Sequence, residues 1–160
     1  MTDLDIDISI TEPQWTTALA DASVLCRAAI KACPLPEAAP SEVSILLCDD
    51  AQIQQLNRDY RHQDQPTNVL SFANLGDTES LEFGPRLWGD IVIAFGVASS
   101  EAEDEGKTLA EHLSHLVVHG MLHLLGYDHE NDSDAERMEA LEISILAGLG
   151  IADPYQAEQS

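Results

Sequence analysis

Positive charge is what this sequence has least of: seven lysines and arginines stand against 29 aspartates and glutamates, a formal net charge of −22. Any polyanion approaching such a surface is repelled at long range, which weighs against a general nucleic-acid coat protein. Screening over about 8 Å at physiological salt still leaves room for a local cationic site. The plainer reading is that the acid keeps the protein in solution. Cysteine is scarce as well. Cys26, Cys33 and Cys48 are odd in number and match neither a zinc ribbon nor a CxxC redox pair, so they read as reduced, buried small hydrophobes.

Long apolar runs are missing too. The most apolar stretch, residues 113–126, is interrupted by three histidines and falls short of the roughly 18 residues a membrane span needs. The amino-terminal Met-Thr-Asp-Leu-Asp-Ile-Asp lacks the basic and apolar regions of a secretory signal. A cytoplasmic protein that engages no membrane is the expectation. With 160 residues and 44% hydrophobic content, one domain over residues 1–151 is expected, with residues 152–160 as a frayed tail.

Residues 5–10 alternate polar and apolar side chains, the period-2 pattern of a strand with one buried face. Thr11 and Gln14 resemble a capping box, and the Ala- and Leu-rich residues 13–31 then read as one helix. Further strands are expected at residues 43–48, 69–72 and 90–95. Between the first and second of these, Asp49 with Gln52 caps a helix running to about Tyr60. The pattern then turns helical, at residues 97–105 closed by Gly106, from the capping box Thr108/Glu111, and from Ser133 boxed by Glu136.

The helix opened by Thr108 carries the chemistry. Four of the six histidines, His112, His115, His119 and His123, fall on it, and His129 follows. His115, His119 and His123 share a face, but the outer two are about 12 Å apart along the axis at 1.5 Å per residue, so one ion cannot hold all three. Metal–nitrogen bonds of about 2.0–2.1 Å allow one adjacent pair and require a third ligand from elsewhere. Gly126 can take a left-handed conformation that ends the helix and returns His129 to the His119/His123 face. The pattern from His119 to His129 is H-x3-H-x2-G-x2-H, the ligand spacing of zinc metzincins, with a fourth coordination position left open. The alternative is that these histidines fill polar gaps in a helical core. Where a metzincin has its glutamate general base, this chain has Gly120, which removes a peptidase's proton acceptor and is expected to leave space beside the metal. Asp128 and His115 are candidates to orient a ligand or act as a base.

The segment His115-Leu-Val-Val-His-Gly-Met-Leu-His-Leu-Leu-Gly-Tyr-Asp-His129 resembles the signature of the YbeY family of bacterial rRNA-maturation factors. Residues 56–72, which include Tyr60-Arg61 and Asn68-Val-Leu-Ser-Phe72, are similar to the family's other motif, as is Gly89-Asp-Ile-Val-Ile93. The resemblance implies an α+β fold, a small mixed four-stranded sheet packed by about five helices. It implies a zinc-dependent, single-strand-specific endoribonuclease acting in 16S rRNA 3′-end maturation and late ribosome quality control. One divalent metal, zinc, would sit on His119, His123 and His129, and the family's functional arginine matches Arg61. Arg58, Asn68, Ser71 and Arg86 are the associated substrate-binding candidates. Partners implied are rRNA in the small ribosomal subunit, with a basic ribosomal protein or an assembly GTPase. Two positions depart from the family tract: Gln63 stands where lysine is common and Ala73 where proline often follows Ser-Phe.

Read from the residues alone, Arg58, Arg61 and Arg86 are three of only five arginines and could join a divalent ion in one cationic pocket. Arginine's planar fork suits phosphate oxygens. The alternative is that each pairs with a local acid such as Asp59 or Asp64. Two other functions stay open, a metal-stabilised ribosome-assembly module with weak or no catalysis, and a metal hydrolase of a peptide, against which Gly120 argues.

Overall fold

The computed structural model describes residues 4–34, 41–73, 86–127 and 131–151, apart from the side chains of residues 73, 86 and 87. In chain order these form β1 (Leu4–Ile10), α1 (Gln14–Ala18), α2 (Ala22–Ala32), β2 (Ser41–Cys48), α3 (Asp50–Arg61), β3 (Val69–Ala73), β4 (Arg86–Ala94), α4 (Phe95–Glu105), α5 (Leu109–Leu124) and α6 (Asp132–Gly148). The expected four-stranded mixed sheet is present in the order β1-β2-β4-β3. β1, β2 and β4 run parallel, and β3 pairs antiparallel with β4 at one edge.

Side chains alternate across a strand, so β2, β3 and β4 feed two cores, while β1 faces only the larger one. Val43, Ile45, Leu47, Ile91 and Ile93 join α2, α5 and α6 in the larger one, where Leu113, Val117, Met121 and Leu122 are fully buried. The intervening residues Cys48, Leu70, Val92 and Ala94 pack with Ile53 of α3 in a smaller core. Six helices, not five, occur among the described residues. The difference lies in residues 13–31, where the chain becomes extended at Leu19 (φ −133°, ψ 95°) and restarts at α2. The Thr11/Gln14 box does not form: the Thr11 hydroxyl donates to Gln52 Oε1, and Glu12 accepts from the Gln14 amide. Trp15, wholly buried with its indole N–H on the Cys48 carbonyl at 3.1 Å, fixes the short α1 against the sheet. That tertiary anchor outweighs the continuous helical propensity of the segment.

Other caps follow the sequence pattern. Asp49 accepts from the Gln52 amide at 2.8 Å, and Thr108 and Glu111 complete a reciprocal box at the start of α5. For α6 the cap is Asn131, accepting from Asp134 N, and not Ser133. All three cysteines are buried and unbridged, and burial pushes each thiol up to about 12. No described helix is long and apolar enough to cross a membrane. Residues 128–130, with Asp128 and His129, and the tail at 152–160 lie outside the described residues.

Candidate active site

The site is built on α5, the helix that packs against β3, β4, α2, α4 and α6 at once. Leu113, Leu116, Val117, Gly120 and Leu124 turn inward at helical spacing, which leaves His115, His119 and His123 on a flank that is only partly covered. His119 and His123, one turn apart, bring their Nε2 atoms within 3.1 Å of each other. Two nitrogens each about 2.0–2.1 Å from one ion sit at about this separation. The other ring nitrogen of His119, Nδ1, is hydrogen-bonded to the carboxylate of Glu142, which is fully buried on α6. A carboxylate only accepts, so the proton of a neutral His119 sits on Nδ1 and its Nε2 carries a lone pair toward His123. This donor set fits a divalent metal.

Gly126 ends α5 as its position suggests. Its φ is +103°, its N–H reaches the His123 carbonyl, and the Tyr127 N–H reaches the Leu122 carbonyl. These two bonds make a Schellman turn, which reverses the chain just beyond His123.

Arg61 arrives from a different element. It closes α3, where His62 adopts a left-handed conformation (φ 59°), and its Nη2 donates to the Ser71 carbonyl on β3 at 3.1 Å. The guanidinium also lies 5.9 Å from the centre of the Phe72 ring. Ser71 in turn donates through Oγ to the Gly120 carbonyl at 3.3 Å, linking the edge strand to α5. The result is one cleft of about 410 Å³ lined by Arg61, Asn68, Val69, Ser71, His119 and His123.

Not every candidate residue faces that cleft with a free group. Arg58 pairs with Asp59 at 3.3 Å on an exposed part of α3, the local pairing open to any surface arginine. Asn68 borders the cleft, but its amide is engaged within the fold, donating to Glu101 at 3.0 Å and accepting from the Val69 N–H at 2.6 Å. The side chain of Arg86 is outside the described set. Gly120 does not open space beside His119. A Cβ there would meet Ile91 Cγ2 at 2.9 Å and Ser71 Oγ at 3.1 Å, so the glycine serves the close approach of α5 to the sheet. Its expected role as room at the metal is therefore corrected.

Among the described residues, Glu101, Glu105 and His112 also bring possible ligand atoms within 4.8 Å of one another, a set compatible with one ion. Its members already have partners. His112 donates Nε2–H to Glu101 at 2.9 Å, and Lys107 sits 3.1 Å from Glu105. An ammonium group inside the cluster supplies the charge an ion would bring, so the His119/His123 pair is the better donor set.

A family model described as Endoribonuclease YbeY matches residues 6–150. The chain belongs to this family. Among relatives, "Endoribonuclease YbeY" of Paramagnetospirillum magneticum is 52% identical over 95% of this chain and 96% of its own length. The protein of the same name from Sinorhizobium fredii is 45% identical, covering 97% of this chain and 94% of that one. A solution structure from Thermotoga maritima shares the fold, with a TM-score of 0.57 at 24% identity over 96% of this chain and 91% of that one.

Sequence reasoning missed Glu142. It stands 23 positions from His119 in α6, among the apolar Met138, Ile145 and Leu146 that seal the same face. The available signal was an acid inside the apolar stripe of a helix, where a buried charge is costly unless paired.

Proposed function

We propose that this chain is a zinc-dependent, single-strand-specific endoribonuclease of the cytoplasm, a single domain over residues 1–151 acting in 16S rRNA 3′-end maturation and late ribosome quality control. The observation that carries the reading is that Arg61 and the His119/His123 pair, from α3 and α5, line one cleft. His119, His123 and His129 hold the metal, with His129 supplied by the segment beyond the Gly126 turn. A bound zinc supplies Lewis-acid polarisation of a phosphoryl oxygen.

The chain's own residues do the rest. Arg61, oriented by the Ser71 carbonyl and the Phe72 ring, presents its remaining N–H groups to a phosphodiester, and a charge-assisted contact there strengthens as negative charge builds. A cleft of about 410 Å³ suits one extended strand better than a duplex. Ser71 lines the cleft beside Arg61, while Arg58, paired with Asp59, contributes only long-range charge. The small ribosomal subunit is the partner, and a basic ribosomal protein or assembly GTPase would meet the acidic exterior, since a net charge of −22 favours cationic partners. That same charge favours the second reading, an assembly module with weak or no catalysis.

The deciding experiment is cleavage of a defined single-stranded RNA by zinc-loaded and zinc-stripped protein, beside His123→Ala and a peptide control. Cleavage only by the loaded wild type supports the nuclease. Cleavage that persists without metal removes zinc from the mechanism, and no cleavage with retained ribosomal-subunit binding selects the assembly module.

A further inference from the structure

Glu142 is an acid placed where packing alone would favour a hydrocarbon. It is fully buried, one turn before Ile145 and Leu146 and one turn after Met138, all of them core residues. Replacing a buried charge by an apolar side chain of similar volume is often neutral or stabilising, so a carboxylate here calls for a reason in its partners. Two of its partners are imidazoles of the α5 flank. Oε1 accepts from His119 Nδ1, and Oε2 lies 3.6 Å from His115 Nε2.

We propose that Glu142 is the positioning residue of the metal centre: it fixes the tautomer and rotation of His119 so that Nε2 faces His123. The inference rests on the proposed metal site and adds to it a residue from α6 that ligates nothing itself. Imidazole in water prefers its proton on Nε2, the tautomer that would point a donor at His123 and away from metal binding. Accepting the Nδ1 proton reverses that preference, at a cost met by the fold before any metal arrives. A cation on the far side of the ring then offsets the buried negative charge, coupling carboxylate and metal through one imidazole. His115 lies on the side of the second carboxylate oxygen, at 3.6 Å.

The experiment compares wild type, Glu142→Gln and Glu142→Ala in two measurements. Ring-nitrogen NMR of metal-free protein reads the His119 tautomer, and competition with a chelator reads zinc affinity. The expected result is an Nδ1-protonated His119 in wild type, a shift toward the Nε2-protonated form in Glu142→Ala, a smaller shift in Glu142→Gln, whose amide oxygen can still accept, and zinc binding weakened about 10- to 100-fold in Glu142→Ala. The zinc-induced rise in melting temperature should shrink in parallel. A wild-type His119 protonated on Nε2 overturns the proposal without any variant having to fold. So does a folded Glu142→Ala protein that binds zinc as tightly as wild type, the result expected if Glu142 only ties α6 to α5. Failure of the metal reading is separately visible, because wild type would then take up no zinc while the tautomer is still read in metal-free protein.

Discussion

Arg61 reaches from the last turn of α3 to the edge strand, its Nη2 on the carbonyl of Ser71 at 3.1 Å. The bond uses one of the five guanidinium donors and aims the others across the cleft that His119 and His123 border. Arg61→Ala should therefore lose turnover and not metal. A charge-assisted phosphate contact worth about 1.5–3 kcal/mol corresponds to a roughly ten- to 150-fold fall in single-turnover RNA cleavage. Zinc content and melting temperature should stay near wild type. Arg61→Lys keeps the charge without the fork and should recover only part of the rate. Full cleavage by Arg61→Ala would remove the arginine from the mechanism.

The 3.1 Å approach of the His119 and His123 Nε2 atoms separates these histidines from the other described ones. His119→Ala, His123→Ala and His129→Ala should each strip the protein of its one equivalent of zinc, measured by elemental analysis after dialysis. His62→Ala and His112→Ala should keep it, since His62 caps α3 and His112 is bound to Glu101. Retention of zinc by His129→Ala with loss from His115→Ala would move the centre one turn along α5.

Gly120 sits where α5 touches the sheet, with Ile91 Cγ2 2.9 Å from the position a Cβ would take. Ile91 is itself fully buried, so neither side can yield cheaply. Gly120→Ala should lower stability to urea by about 1–3 kcal/mol, the usual cost of overpacking. Gly120→Glu, which would restore the metzincin sequence, should fail to give a stable protein and so cannot create a peptidase. Unfolding curves of Gly120→Ala that overlay wild type would show that helix and strand separate easily here.

His112 is held below the ordinary histidine value of 6.5, chiefly by burial, with the Glu101 carboxylate pulling the other way. Its pKa is lower folded than unfolded, so the unfolded chain takes up the proton first as acid is added. The stabilising contribution is complete above about 6.5 and is lost as the pH falls toward the folded value. Urea midpoints at about pH 7.5 and 5.5 should differ less for His112→Gln than for wild type. Equal acid sensitivity in the two proteins would contradict this.

Burial pushes the thiols of Cys26, Cys33 and Cys48 up to about 12, leaving almost no thiolate at neutral pH. Native protein should react with a thiol reagent very slowly, and all three cysteines should react at once after denaturation. A fast-reacting native thiol would mean that one of these sites opens.

Local chemistry made much of this protein legible in advance. Asp49 and Thr108 cap their helices because a side-chain oxygen near a helix start satisfies an amide left unbonded by the helix itself, whatever the surroundings. Alternation in β1, the α5 stripe, the left-handed Gly126 and the histidine spacing are likewise properties of short segments. What the sequence could not decide are the matters that depend on contacts between distant segments. The break at Leu19 follows from Trp15 docking on Cys48, 33 residues away. Gly120 reads as room beside a metal until Ile91 and Ser71 are seen against it. Arg61, Ser71 and the two histidines come together only once β3 pairs with β4 beneath α5. Glu142 meets His119 only because α6 folds back along α5. Periodicity shows which face of a helix is buried, but the partner on that face is chosen by tertiary packing, and the chemistry of the cleft lies in those partners.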